Sequence, residues 1–163
     1  MPSVVDLLVS GRWVRLLHAS PKSVHHRVRQ HESTETLLTM FENTELTGRA
    51  RTPDLVGYGD IHEAYLRTFP GKTLFNVGSV GNPPDLPLAS YAVIEGVSGG
   101  GPAAPLALQL VRVPYDIERA VQDAVDADMP SLQAYTRELR TARYRGPEEF
   151  AAERERLRRS VGL

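Results

Sequence analysis

Before Pro114 the apolar residues fall in short runs, and after it they fall at helical spacing. Val4 to Val9 and Trp13 to Leu17 are rich in β-branched, aromatic and aliphatic residues. Ser10-Gly11-Arg12 separates them, so the pair reads as a β-hairpin with His18 at the end of its second strand. Ala19-Ser20-Pro21 breaks the pattern, and the polar stretch from Lys22 to His31 has no period, which predicts a loop. Ser33 or Thr34 can cap a helix whose residues Leu37, Leu38, Met40 and Phe41 share one broad face, ending near Asn43.

From Asp54 onward, brief apolar segments are punctuated by Gly and Pro: Leu55 to Tyr58, Ala64 to Phe69, Thr73 to Val77, Ser90 to Ile94 and Leu106 to Val113. Their lengths suit strands, so the central region is predicted to be a sheet. Pro70-Gly71-Lys72 reads as a tight turn, and Gly96 to Pro105 as a loop joining the last two strands. Beyond Pro114, Ile117, Ala120, Val121, Ala124 and Val125 form one helical face with Asp116 as cap. A second helix is expected from Pro130, using Leu132, Ala134, Tyr135 and Leu139. A third is expected over Pro147 to Arg159, with Gly162 as its stop.

The chain has 163 residues, of which 41% are hydrophobic, a size and content that fit one domain with its own core. A formal net charge of −1 makes no electrostatic case for a nucleic acid or an anionic membrane surface. There is no cysteine, which excludes disulfides, thiolate metal sites and thiol nucleophiles. Any metal must be held by His, Asp, Glu or Asn. The first twenty residues mix Asp6, Arg12, Arg15 and His18 into short apolar runs, unlike a signal peptide or a membrane span, so a soluble, cytoplasmic protein is expected.

The most informative segment is Gly59-Asp60-Ile61-His62, directly after a predicted strand. In extended backbone, side chains two apart point the same way, so a carboxylate and an imidazole can face one site and suit a divalent metal. A solvated turn is the bland alternative. His18 also follows a strand, where sheets present functional side chains, although a strand-terminal His can equally bond a nearby carbonyl. His25, His26 and His31 lie in the polar stretch and read as surface residues. Asn76-Val77-Gly78-Ser79-Val80-Gly81-Asn82-Pro83 runs from a strand into a turn. Ser79 lacks the Gly two residues before it that a nucleophile elbow requires, and no phosphate-cradling loop occurs in the chain.

Taken in order, "LLHASP" at Leu16 to Pro21, "VGYGDIH" at Val56 to His62, "TLFNVGSVGNP" at Thr73 to Pro83 and "SYAVIE" at Ser90 to Glu95 resemble the second half of small bacterial calcineurin-like metallophosphoesterases. The resemblance covers residues 4 to 115. In that family an isolated His after a strand, usually followed by Gly, binds a metal. It corresponds here to His18, followed by Ala19. A Gly-His-x-His motif supplies two more ligands, corresponding to Asp60 and His62, and the Asn-x-Gly-Ser run places Asn76, Gly78 and Ser79 in a turn near the site. The resemblance implies an α+β fold in layers, α/β/β/α, with two facing sheets and helices outside. It also implies two divalent ions of the Mn, Fe, Zn or Ni type and a small phosphoester as substrate, hydrolysed by water activated between the two cations.

Two departures qualify what the resemblance implies. Asp60 stands where the family has His, and a carboxylate favours harder ions. The family's Asp-x-His, Gly-Asp-x-x-Asp and Gly-Asn-His motifs normally precede the isolated His, and none precedes His18. These would supply the bridging carboxylate, an Asn ligand and the His that protonates the leaving group, so no catalytic residue is assigned. The expectation is an N-terminally incomplete metallophosphoesterase domain over residues 1–115 with a helical segment over 116–163, inactive alone. Its uncovered sheet edge would be open to self-association. The rival readings are a binding module holding at most one metal, and a structural remnant.

Overall fold

The structure is a computed structural model that describes residues 2–48 and 51–144. The helix expected over Pro147 to Arg159, and its stop at Gly162, lie outside the described residues. The first two elements are β1 (Val4–Val9) and β2 (Arg12–Leu17), paired antiparallel with Val9 opposite Arg12. That register leaves a two-residue loop, Ser10-Gly11, with both residues at positive φ (49° and 67°). Such a loop matches the right-handed twist of the strands it joins. A non-glycine residue needs support in this conformation, and Ser10 has it. Its hydroxyl donates to Pro105 O (2.6 Å) and accepts from Val97 N (2.9 Å), which ties the hairpin tip to the connection between the last two strands.

A short helix α1 (Thr34–Leu38) follows and tightens into a 3-10 turn over Thr39–Phe41. Ser33 provides the cap, its hydroxyl accepting from Thr36 N at 3.2 Å. The chain then forms β3 (Leu55–Tyr58), β4 (Tyr65–Phe69) and β5 (Lys72–Asn76). The sheet order is β1-β2-β3-β5-β4, in which β2, β3 and β5 run parallel and the two edge strands run antiparallel to their neighbours. A separate two-stranded sheet joins β6 (Ala89–Gly96) to β7 (Leu106–Val113).

Alternation along the central strands sorts their side chains into two cores. Val56, Tyr58 and Leu74 face Val28, Leu37, Met40 and Phe41 of the α1 layer. Leu55, Phe75 and Val14 face the opposite way, against Ala92, Ile94, Leu106 and Leu108 of the β6–β7 sheet. The result is an α+β sandwich with the five-stranded sheet in the middle, and all four residues of β3 are buried. Gly57 is required there, because a Cβ would press on the Phe75 ring and come within 2.9 Å of Leu16.

Arg15 is fully buried on the α1 side of β2, which the sequence pattern did not foretell. Its guanidinium donates to both carboxylate oxygens of Asp6 (2.9 and 3.0 Å) and to Asn43 Oδ1 (3.0 Å), pinning the segment after the 3-10 turn to the sheet. Two helices close the described chain, α2 (Ile117–Asp126) and α3 (Leu132–Thr141). Asp116 caps α2, its carboxylate accepting from Arg119 N at 2.9 Å, and Arg140 of α3 grips Glu118 of α2 at 2.6 and 2.8 Å. Among the described residues no helix is long and apolar enough to cross a membrane.

Gly57→Ala is expected to destabilise the fold by about 1–3 kcal/mol through overpacking, read as a lower urea midpoint with an unchanged slope. Asp6→Ala strands the buried Arg15 charge and is expected to cost about 3 kcal/mol. Adding Arg15→Met to Asp6→Ala should recover part of that loss in the same measurement.

Candidate functional site

Three parallel strands end at one edge of the sheet, and each hands over to a segment singled out by its residues. β2 ends at Leu17 before His18, β3 at Tyr58 before Gly59-Asp60, and β5 at Asn76 before Val77-Gly78. The carbonyl ends of parallel strands are where such sheets place ligands. Backbone hydrogen bonds carry the pairing past the strand ends. His18 O accepts from both Gly59 N (3.0 Å) and Asp60 N (2.9 Å), and Tyr58 O accepts from Val77 N (3.0 Å). A turn closed by His62 N donating to Gly59 O (2.9 Å) follows, and it leaves His62 at φ 61°. A non-glycine residue in this region stores strain of the kind that marks functional sites.

His18, Asp60 and His62 line one cleft of about 210 Å³ together with Arg27, Arg29 and Glu63. His18 Nε2 lies 3.7 Å from Asp60 Oδ1, its side chain 62% exposed where that of Asp60 is 10% exposed. The dominant contact of Asp60 is with Arg27. Nε donates to Oδ2 at 2.8 Å and an Nη to Oδ1 at 3.3 Å, so one guanidinium engages both carboxylate oxygens. This bond holds the Arg27 guanidinium above its ordinary pKa, against the opposing effect of partial burial. The Lys22–His31 stretch has no period and predicts only a loop, within which nothing local marks Arg27. An Arg nine residues after a strand-terminal His carries no local signal of this contact.

The turn after β5 meets the cleft residue His62 through Asn82. Asn76 is fully buried and its Oδ1 accepts from Gly78 N at 3.0 Å, while its Nδ2 has no hydrogen-bond partner. Gly78 sits at φ 76°, and a Cβ there would come within 2.5 Å of Ser90 Oγ, so glycine alone lets the turn lie against β6. Ser79 Oγ accepts from Asn82 N (3.0 Å), which uses the hydroxyl to shape the turn. His62 Nδ1 meets Asn82 O at 3.1 Å. Asn76, Gly78 and Ser79 do not line the cleft, and Ser79 is tied to His62 through Asn82.

The remaining histidines separate. His25 and His31 are exposed, as expected of surface residues. His26 is half-buried instead, with Nδ1 3.0 Å from the hydroxyl of the buried Ser20, because the loop folds back beneath α1. Tyr58 and Tyr65 form a further buried polar pair under the cleft, the Tyr58 hydroxyl bonding Val28 O (2.8 Å) and the Tyr65 hydroxyl (2.8 Å). Burial pushes the Tyr58 hydroxyl far above its usual range, so it stays neutral and acts as scaffold.

The ligand trio implied by the resemblance is therefore gathered in one cleft without being arranged as a metal centre. Among the described residues no three His, Asp or Glu side chains are grouped to hold an ion, and Asp60 already has a cation on both oxygens. The donor set as it stands does not fit a dinuclear site.

No family model matches the sequence, and no curated protein matches it closely enough to count as a relative. Solved structures do match. The chain is similar to a metallophosphoesterase from Sphaerobacter thermophilus, with a TM-score of 0.59 and 19% identity over 87% of this chain and 58% of that one. It is also similar to the hypothetical protein PH1004 from Pyrococcus horikoshii OT3, with a TM-score of 0.64 and 11% identity over 90% of this chain and 52% of that one. The chain thus spans a little over half the length of each. What these structures share with it is the fold: the chain is built on the metallophosphoesterase sandwich.

Proposed function

We propose that this chain forms one wall of a metallophosphoesterase-type site for small phosphomonoesters or phosphodiesters, and that by itself it turns no substrate over. The observation that carries the first half is the convergence of His18, Asp60 and His62 at the carbonyl ends of β2 and β3, in a sandwich shared with a metallophosphoesterase. The observation that carries the second half is Arg27, which occupies the face of Asp60 that a cation would use. Among the described residues the cleft's other carboxylate is Glu63, which accepts from Gln30 at 3.1 Å, and no Asn lines the cleft.

The residues present can still do part of the work. His18 and the Arg27 guanidinium, with Arg29 beside them, put hydrogen-bond donors around a cleft sized for a phosphoryl group. Asp60 holds Arg27 in place. A second reading, a binding module that acts by contact and holds one ion or none, is favoured by the same Arg27–Asp60 pair. Metal stoichiometry separates the two readings.

With p-nitrophenyl phosphate or bis(p-nitrophenyl) phosphate and Mn, Ni or Zn ions, the purified chain is expected to release no p-nitrophenol above the buffer rate. Metal-dependent turnover that His62→Ala abolishes would sink the claim of inactivity. In calorimetric Mn titrations, Arg27→Ala is expected to tighten binding by about tenfold or more, worth roughly 1.4 kcal/mol. His18→Ala in the Arg27→Ala background should reverse that gain. An Arg27→Ala chain that binds Mn no better than the parent would favour the contact-only module.

A further inference from the structure

The helix pair beyond β7 reaches the cleft through one buried carboxylate. Of the described residues of α3, those fully withdrawn from water are Leu139 and Glu138, each 1% exposed. A carboxylate is retained in such a place only where polar groups meet it. Asn82 is one of these, its Nδ2 donating to Glu138 Oε2 at 3.2 Å across 56 positions of sequence.

Asn82 is held on three sides. Its side chain is bound to Glu138, its backbone N–H to Ser79 Oγ at 3.0 Å, and its carbonyl lies 3.1 Å from His62 Nδ1. The orientation of its amide has a cost, since Asn82 Oδ1 is buried without a hydrogen-bond partner. Flipping the amide would set that oxygen against the Glu138 carboxylate, so Glu138 dictates which way the amide points. A carbonyl can only accept, so Nδ1 of His62 is the donor, and in the neutral imidazole this makes Nε2 the bare nitrogen. His62 also needs anchoring because of its left-handed backbone (φ 61°).

We propose that Glu138 and Asn82 are positioning residues for His62. Glu138 orients Asn82, and the Asn82 main-chain carbonyl fixes the tautomer and rotamer of the imidazole. The C-terminal helix pair, which lies beyond the resemblance, thereby sets which nitrogen His62 offers to the cleft. The inference rests on the place of His62 in the cleft and not on hydrolysis, so an inactive chain leaves it standing.

The test is long-range 1H–15N correlation of the imidazoles in the 15N-labelled full chain. In the parent, His62 is expected as the Nδ1–H tautomer, with Nε2 at a bare-nitrogen shift, and an Nε2–H tautomer overturns the proposal outright. In Glu138→Ala the His62 pair is expected to move toward the mixed-tautomer average shown by the exposed His25, with the His18 and His25 signals unmoved. Glu138→Gln, whose amide oxygen can still accept from Asn82, should restore the parent pattern. Glu118→Ala, which cuts the α2–α3 tie to Arg140, should leave His62 unchanged. Should Glu138→Ala fail to fold, Asn82→Ala keeps the carbonyl, removes the tether and is expected to give the same His62 shift. Unchanged His62 signals in a folded Glu138→Ala or Asn82→Ala chain overturn the proposal.

Discussion

The four residues of β3 are buried on both faces, and the rest of the sandwich is arranged around that constraint. Val56 and Tyr58 require a helical layer on one side, while Leu55 requires the β6–β7 sheet on the other. A strand hidden this way can satisfy its backbone only by pairing along both edges, and parallel β2 and β5 provide that pairing. Gly57 makes the arrangement feasible, since the Phe75 ring fills the space a side chain would take. Because the three strands run in one direction, their carbonyl ends open on the same edge. The cleft is a product of this packing, and its residues arrive from segments far apart in sequence.

Charged groups withdrawn from water are met by partners from elsewhere in the chain. Arg15 is neutralised by Asp6 across the hairpin and hydrogen-bonded to Asn43 beyond α1, Asp60 is neutralised by Arg27, and Glu138 is met by Asn82. In each case a charged group removed from water demands a partner, and the fold brings one to it. At Asp60 this has a chemical consequence. The Asp60 carboxylate is engaged on both oxygens by the Arg27 guanidinium, which holds it oriented and balances its charge. A fold shared with a metallophosphoesterase therefore coexists with a cleft whose carboxylate is already balanced by a guanidinium.

The elements were legible from residue order because their causes are local. Strand alternation, the Ser10-Gly11 turn, and Ser33 and Asp116 as caps each depend on a few neighbouring residues, and β1, β3 and β7 have the bounds that their apolar runs imply. The differences also have local causes. β5 starts at Lys72 because that residue pairs with Phe69, and the helix after Ser33 tightens to 3-10 geometry after Leu38. Strand-end placement likewise picked out His18, Asp60 and His62 as neighbours in space.

Over the described residues, residue order alone thus determined most of the secondary structure, the sheet-rich centre and the strand-end positions, since periodicity and turn chemistry act over a few residues. Tertiary structure alone decided how those positions are used. Arg27 reaches Asp60 across 33 residues and Glu138 reaches Asn82 across 56, and neither pair has a periodic or compositional signature. An arginine in a polar stretch looks solvated until the chain path seats it on a carboxylate, and a glutamate on an amphipathic helix looks exposed until that helix docks. Long-range pairing follows the path of the folded backbone, which is why the three residues at the strand ends could be named in advance and the cation beside them could not.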